Sequence, residues 1–228
     1  MGAQLVKDQS VVGSIPTFFI MKVINEGKTK IIYENQEDLS TVFMVFKDDI
    51  TAGDGLKHDI IKDKSILDWR TNKNIYELLN KNSIATHYID SPKEKHVLVK
   101  KLEIKINVEV VTRRVATGSI IDWGGEVEGK EWKPPITQFH YKDDFLHDPM
   151  LDKTYIDYIT NKKGTSVFAE MSTLNDEVFI LLEKSFKKFN IQLIDIKLEY
   201  GLIDDKLYVI DEITGGSFPV YVIQWQRG

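Results

Sequence analysis

The sequence predicts an α+β fold of two lobes, a small antiparallel-sheet lobe over residues 21–101 and a larger sheet-and-helix lobe over 102–228. Three observations lead there. Strand-like runs crowd the first part around a single helical interval. A long run rich in valine and isoleucine, Leu102 to Arg114, opens the second part. Residues 166–189 then carry apolar side chains at three- and four-residue intervals, the period of an amphipathic helix. With 228 residues and 42% hydrophobic composition, the chain is long enough to bury a substantial core.

The start, MGAQLVKDQSVVGSIPTFFI, is read as an N-terminal extension over residues 1–20. Its apolar patch is broken by Gly13, Ser14 and Pro16 and is too short to span a bilayer. Val6 replaces the small hydroxyl that a myristoylated Met-Gly start carries. KVINEG, KTKIIYE and TVFMVFK read as strands, followed by a helix around Ile66 to Leu79 and by the strand-like ATHYID and HVLVKK. After the long strand, Gly124-Gly125, Gly129 and Pro134-Pro135 punctuate a region that reads as loops. Phe168, Met171, Leu174, Val178, Leu181, Leu182, Phe186 and Phe189 form the apolar stripe of the helix; the stripe is core and carries no chemistry.

The last element is LIDIKLEYGLIDDKLYVIDE, residues 193–212. In an extended chain alternate side chains share a face, so Ile194, Ile196, Leu198 and Tyr200 go one way and Asp195, Lys197 and Glu199 the other. Gly201 to Lys206 reads as a turn and Leu207 to Asp211 as the returning strand, ending on the acidic pair Asp211-Glu212.

Composition narrows the function. A net charge of −5 and a pI near 5.6 argue against a general nucleic-acid binder, which needs a basic surface. No other stretch approaches the ~18 apolar residues of a membrane span. The chain has no cysteine, so disulfides, a thiolate nucleophile and a thiolate metal site are excluded, which suits a reducing, cytoplasmic setting.

Five constellations carry possible chemistry. Gly27-Lys28-Thr29-Lys30 lies between two strand-like runs, with two lysines on one face, and reads either as a solvated hairpin or as a ligand-facing turn. It lacks the spacing of a Walker A loop. Asp48-Asp49-Ile50-Thr51-Ala52-Gly53-Asp54-Gly55 is either an acidic turn or a loop whose glycines free backbone amides for an anion. VEVVTRRVATGS, residues 108–119, ends a strand in Arg113 and Arg114 with Ser119 beyond. The arginine fork suits bidentate phosphate or carboxylate binding, against a plain strand-end salt bridge. Tyr141-Lys142-Asp143-Asp144 and His147-Asp148-Pro149 form a charged loop in which the lone histidine reads as a surface or capping residue rather than a ligand. Finally, a face carrying Asp195, Lys197 and Glu199 is either solvent-exposed or needs compensation, since stripping water from an ion costs several kcal/mol. Mg2+ with nucleotide phosphates would supply that compensation, because Mg2+ takes carboxylate oxygens and lysine pairs with phosphates.

Taken in order, EGKTKIIY, DDITAGDG, LVKKL, VEVVTRRVATGS, PPITQFHYKDDFLHDP and LIDIKLEYG with its following DE resemble the SAICAR synthetase family. The likeness runs from about Val23 to Ile213. It implies a two-lobed SAICAR synthetase-like fold with a small antiparallel-sheet lobe and a larger ATP-grasp-like lobe, ATP lying between them. The implied reaction condenses CAIR with L-aspartate to give SAICAR, converting ATP to ADP and phosphate with Mg2+ in purine biosynthesis. The implied partners are these small molecules, with no nucleic acid and no membrane; a homodimer is one assembly the resemblance allows.

Residue by residue, the resemblance assigns Lys28 and Lys30 to ATP phosphates, Lys100 to the neighbourhood of the adenine, and Lys142 to the nucleotide phosphates. Thr51, Asp54 and Gly55 match a substrate loop, and Arg113 and Ser119 match ligands of the substrate phosphate. Asp195, Lys197, Glu199 and Asp211 match the Mg2+ and phosphoryl-transfer cluster, with Lys197 and Asp195 catalytic. The family usually continues with SPDxxRxWD, whose acid and arginine bind substrate. Here ITGGSFPVYVIQWQRG follows, with Gly216 and Pro219 at those two positions. That departure keeps two other readings open, an ATP-binding pseudoenzyme and a phosphotransferase with an altered substrate.

Overall fold

A computed structural model describes residues 22–52, 57–160 and 166–222. The N-terminal extension, Asp54 and Gly55 lie outside them. The chain divides into two compact units, Met1–Lys73 with His87–Lys101, and Asn74–Thr86 with Leu102–Gly228. Residues 74–86 thus belong with the second unit, where a contiguous division at 101 assigns them to the first.

In the first unit the strands are β1 (Val23–Glu26), β2 (Lys30–Glu34), β3 (Thr41–Phe46), β4 (Asp49–Ala52) and β5 (Lys57–Ile60). Beyond helix α1 (Lys64–Lys81) come β6 (Tyr88–Lys93) and β7 (His96–Lys100). They form an antiparallel sheet in the order β1-β2-β3-β7-β6 and a separate β4-β5 hairpin. The alternation in TVFMVFK buries Val42, Met44 and Phe46 with Val97 and Val99 of β7, each such side chain stabilising by about 1.5–3 kcal/mol. Asp48 fixes the start of α1 by accepting the Ser65 backbone N–H at 2.9 Å, which serves one of the unpaired donors of a first helical turn.

The second unit holds β8 (Ile104–Val115), the short helix α2 (Ser119–Gly124), β9 (Glu131–Tyr141), α3 (Lys153–Thr160) and α4 (Val167–Lys187). It continues with β10 (Ile191–Leu193), β11 (Asp195–Ile203), β12 (Lys206–Ile210) and β13 (Val220–Val222). Its main sheet runs β12-β11-β8-β9, all antiparallel, and β10 pairs separately with β13. Helix α4 packs on this sheet. Ser166 opens it, its hydroxyl accepting from Ala169 N–H, while Lys184 and Lys187 occupy its last turn, where cations suit the helix dipole.

Three sequence expectations change. The region around Pro134-Pro135 is not loop: it holds α2 and the eleven-residue β9. β9 is an edge strand, the position at which a sheet tolerates proline. The turn of the last hairpin is two residues rather than six, since Ile203 already pairs with Lys206. Asp204 and Asp205 make it at φ 49 and 56, left-handed values that suit a tight hairpin and that aspartate tolerates. Phe189 falls beyond α4 and is exposed, whereas Val167 and Phe179 join the buried stripe. Among the described residues no helix is long and apolar enough to cross a membrane.

Candidate functional site

The alternation on β11 sorts its side chains between the two faces of the sheet. Ile194, Ile196, Leu198 and Tyr200 are all at most 2% exposed. Tyr200 donates to Asn175 Oδ1 of α4 at 2.7 Å, and Asn175 donates to Thr112 of β8 at 2.6 Å. The even-numbered residues of both strands therefore face α4. The opposite face carries Asp195, Lys197 and Glu199, set by register beside Arg113, Val111 and Glu109 of β8. Beyond these, Ile136, Gln138 and His140 of β9 stand opposite Arg113, Val111 and Glu109.

On that face the charges form an alternating chain. Lys197 Nζ lies 3.0 Å from Glu109. Lys142 reaches Glu109 at 3.4 Å and makes a short contact to Glu199 Oε1. Lys105 Nζ lies 2.8 Å from Glu199 Oε2 and 3.4 Å from Asp211 Oδ2. Three lysines thus alternate with three carboxylates, of which Glu109 and Glu199 are buried. Burial by itself would push the Lys142 ammonium down. The charge and hydrogen bond of Glu199, with Asp211 and Glu109, instead hold it well above its ordinary value. Lys105 is likewise raised, Asp211 and Glu199 together outweighing the effect of burial. Buried ions kept charged by partners this close are typical of sites built for a charged ligand.

Local structure explains how these groups meet. A bulge between Glu199 and Tyr200 locally re-aims the strand and lets both Glu109 and Lys105 of β8 reach β11. Gly201 follows, and a Cβ there would stand 3.0 Å from Ile104 O. Asp211 lies one residue past the end of β12, at φ 68, with its carbonyl accepting the buried Tyr76 hydroxyl at 2.7 Å. Burial pushes the Tyr76 phenol well up, so it stays a donor. Lys142 directly follows β9, its N–H bonded to Asn107 O at 3.1 Å. The next turn is ordered by Asp143, which accepts from Phe145 and Leu146 N–H. His147 closes that turn at φ 57, a capping position.

Asp195 separates from the other acids. It sits four residues before Glu199 on β11, about 13 Å along an extended strand, and pairs with Arg113 at 2.7 Å. Burial raises its carboxyl above the usual value despite Arg113. The expected metal trio of Asp195, Glu199 and Asp211 therefore does not assemble. Among the described residues no three acidic or histidine side chains group to hold a metal ion. Glu199 and Asp211 remain as a pair sharing Lys105. Glu199 Oε2 is buried and has no well-aligned hydrogen bond; its partner is the Lys105 ammonium, an ion pair at 2.8 Å. A buried carboxylate oxygen beside a second carboxylate, held only by a partly exposed lysine, fits Mg2+, which needs only one or two protein carboxylates alongside phosphate.

Arg113 also donates to Gln138 Oε1 at 3.2 Å and to Thr117 O at 3.4 Å, tying the strand end to the turn before Ser119. Ser119 is exposed as the first residue of α2, just after Gly118 at φ 66. Arg114, by contrast, faces α4. Its guanidinium is forked onto Glu183 at 2.6 and 2.8 Å and donates to Trp132 O, so it is turned away from the charged face.

In the first unit Lys28 is exposed and Lys30, which opens β2, is half-buried, in a turn where Gly27 N–H donates to Lys30 O. Lys100 closes β7 opposite Thr41. The backbone of Thr51 pairs with His58 in the β4-β5 hairpin. Sequence reasoning missed Glu109, Lys105 and Tyr76. For Glu109 and Lys105 a signal existed, since with Arg113 they are the charged residues on the odd-numbered face of the β8 run.

The atypical tail completes the sheet edge. Lys197 N–H donates to Ser217 O at 2.9 Å and Ile194 N–H to Pro219 O at 3.1 Å, while Phe218 stacks near Phe186. Pro219 thus contributes a carbonyl to the residue just before β11.

Comparison with known proteins agrees with this architecture. The family model described as SAICAR synthetase matches residues 23–223. A phosphoribosylaminoimidazole-succinocarboxamide synthase of Herpetosiphon aurantiacus is 40% identical over 201 residues, covering 86% of this chain and 79% of the relative. The solved structure of the synthase of that name from Ehrlichia chaffeensis superposes with a TM-score of 0.82 at 32% identity, over 88% of this chain and 85% of the other. A SAICAR synthetase in complex with ADP gives 0.81 at 30% identity, over 88% and 84%. Both the match along nearly the whole described sequence and the shared fold lead to one conclusion: the chain belongs to the SAICAR synthetase family.

Proposed function

We propose that this chain is an ATP-dependent carbon–nitrogen ligase that joins the carboxylate of CAIR to the amine of L-aspartate through an acyl phosphate. The observation that carries the reading is the alternating Lys–carboxylate chain on the charged sheet face, together with family membership. A carboxylate is a poor electrophile, because resonance and negative charge resist an incoming amine. A CAIR carboxylate oxygen attacking the γ-phosphorus of ATP forms a new O–P bond as the bridging bond to ADP breaks. The aspartate amine then attacks the activated carbonyl carbon and phosphate leaves. No enzyme nucleophile is needed, in keeping with a chain that has no cysteine.

The residues have complementary parts. Lys197 and Lys142, paired with Glu109, are positioned to donate to phosphate oxygens as charge shifts onto the transferred group. Lys28, Lys30 and Lys100 are assigned to the nucleotide by the family pattern, and Thr51, Asp54, Gly55 and Ser119 to substrate. Arg113, oriented by Asp195 and Gln138, is assigned to the CAIR phosphate, where its planar fork binds best. Asp195 is thereby a positioning residue rather than a metal ligand. Glu199 and Asp211 would hold Mg2+, which when bound neutralises the polyphosphate and polarises the transferred phosphoryl. A cytoplasmic location and a homodimer accord with the reading.

The test is ADP and SAICAR formation by the purified chain with ATP, Mg2+, CAIR and L-aspartate, each omitted in turn. The ligase reading requires SAICAR with all four and no full-rate ADP release without CAIR and aspartate. The Pro219 carbonyl in place of an arginine favours one second reading, a nucleotide-binding chain with another acceptor or none; ATP binding without SAICAR would support it.

A further inference from the structure

We propose that Lys105 is an internal counter-ion lodged between Glu199 and Asp211, which a divalent cation must displace, so that this residue sets the metal affinity of the site. The inference rests on the reading that Glu199 and Asp211 hold the metal. Lys105 is distinguished by its position: its ammonium approaches Glu199 Oε2 at 2.8 Å and Asp211 Oδ2 at 3.4 Å, touching both carboxylates at once. Lys142 engages Glu199 through the other oxygen, Oε1, and its second close partner is Glu109.

A Mg2+ ion draws carboxylate oxygens to about 2.0–2.1 Å. It cannot share Glu199 Oε2 and Asp211 with an ammonium at these distances without strong like-charge repulsion. Lys105 has somewhere to go, because its side chain is 42% exposed, and its long stem can carry the charge out into solvent. Its hold is also weak in geometry: the 2.8 Å contact to Glu199 Oε2 is an ion pair without a well-aligned hydrogen bond. In the ligand-free protein the ammonium neutralises two carboxylates that would otherwise repel each other; on metal binding it becomes the group that must leave.

Mn2+ binding to the nucleotide-free full chain, read by electron paramagnetic resonance of free Mn2+, tests this without reference to activity. Lys105→Met is expected to bind Mn2+ roughly tenfold more tightly than the parent, the scale for removing one nearby positive charge from a partly exposed site. Lys105→Arg should stay near the parental affinity. Unchanged or weaker Mn2+ binding in folded Lys105→Met overturns the proposal. Glu199→Gln and Asp211→Asn separate it from the underlying reading: if Mn2+ binding survives both, or the parent binds none, the metal pair itself is misassigned. Circular dichroism confirms folding, and should Lys105→Met not fold, Lys105→Gln takes the same measurement.

Discussion

Lys197 and Glu109 meet diagonally across two strands, the ammonium 3.0 Å from the carboxylate, although Glu109 lies directly opposite Glu199 in the register. Glu109 thus separates two lysines while standing against a second acid. Glu109→Gln keeps the shape and removes the charge that holds Lys197 and Lys142. The expected result is a fall in kcat of about tenfold with a smaller change in the ATP KM, roughly 1.4 kcal/mol of transition-state stabilisation. Steady-state kinetics on a variant shown by melting to be folded checks it; an unchanged kcat would leave Glu109 a purely structural residue.

Lys197→Ala and Asp211→Asn each remove a group proposed to act on the phosphates. Both should lower kcat at least about a hundredfold, near 2.7 kcal/mol, with little loss of stability. Near-parental kcat in variants that melt like the parent would contradict the assignment.

Arg113 and Asp195 are both nearly buried, so Arg113→Ala strands a carboxylate and should destabilise the fold by about 3–5 kcal/mol. Arg113→Lys is the cleaner probe of substrate binding. It keeps the charge but loses the planar fork, and the CAIR KM should rise about tenfold while the ATP KM stays within about twofold. Equal changes in both constants would show that Arg113 does not grip CAIR.

Tyr76→Phe deletes the hydroxyl that holds the Asp211 carbonyl. Loss of one buried hydrogen bond should cost about 0.5–1.5 kcal/mol in urea unfolding. Because Asp211 sits at a positive φ that this bond supports, the variant should also need more Mg2+ for half-maximal activity. A stability loss with an unshifted Mg2+ requirement would confine Tyr76 to the fold.

The pH dependence follows from Lys142. Its value is raised in the folded protein, so its ion pairs stabilise fully below the unfolded-state value near 10.5 and fade as pH climbs from there towards the folded value. The melting-temperature gap between the parent and Lys142→Met should therefore be flat from about pH 7 to 10 and narrow only above that. A gap that closes near neutrality would mean that Lys142 is not held by Glu199.

Periodicity is a local property, and it made much of this protein legible in advance. The 3.6-residue spacing marked α4, missing only its end and the share of the core taken by Val167 and Phe179. The two-residue alternation of DIKLE placed Asp195, Lys197 and Glu199 together on one face, because neighbouring side chains of any extended strand diverge. It could not say how far along that face each residue would act, and so it grouped Asp195 with Glu199, which lies about 13 Å further along the strand. Nor could it see β9 behind two prolines, whose place in a sheet depends on lying at an edge.

The composition of the charged chain was decided only by tertiary structure. Lys105, Glu109, Lys142, Glu199 and Asp211 come from β8, from the residue after β9, from β11 and from the residue after β12. Their meeting depends on strand order, on the β8–β11 register and on the bulge after Glu199. No local pattern encodes which lysine will stand beside which carboxylate. That choice is made by backbone pairing between segments far apart in sequence, while the side chains themselves report only that they are charged.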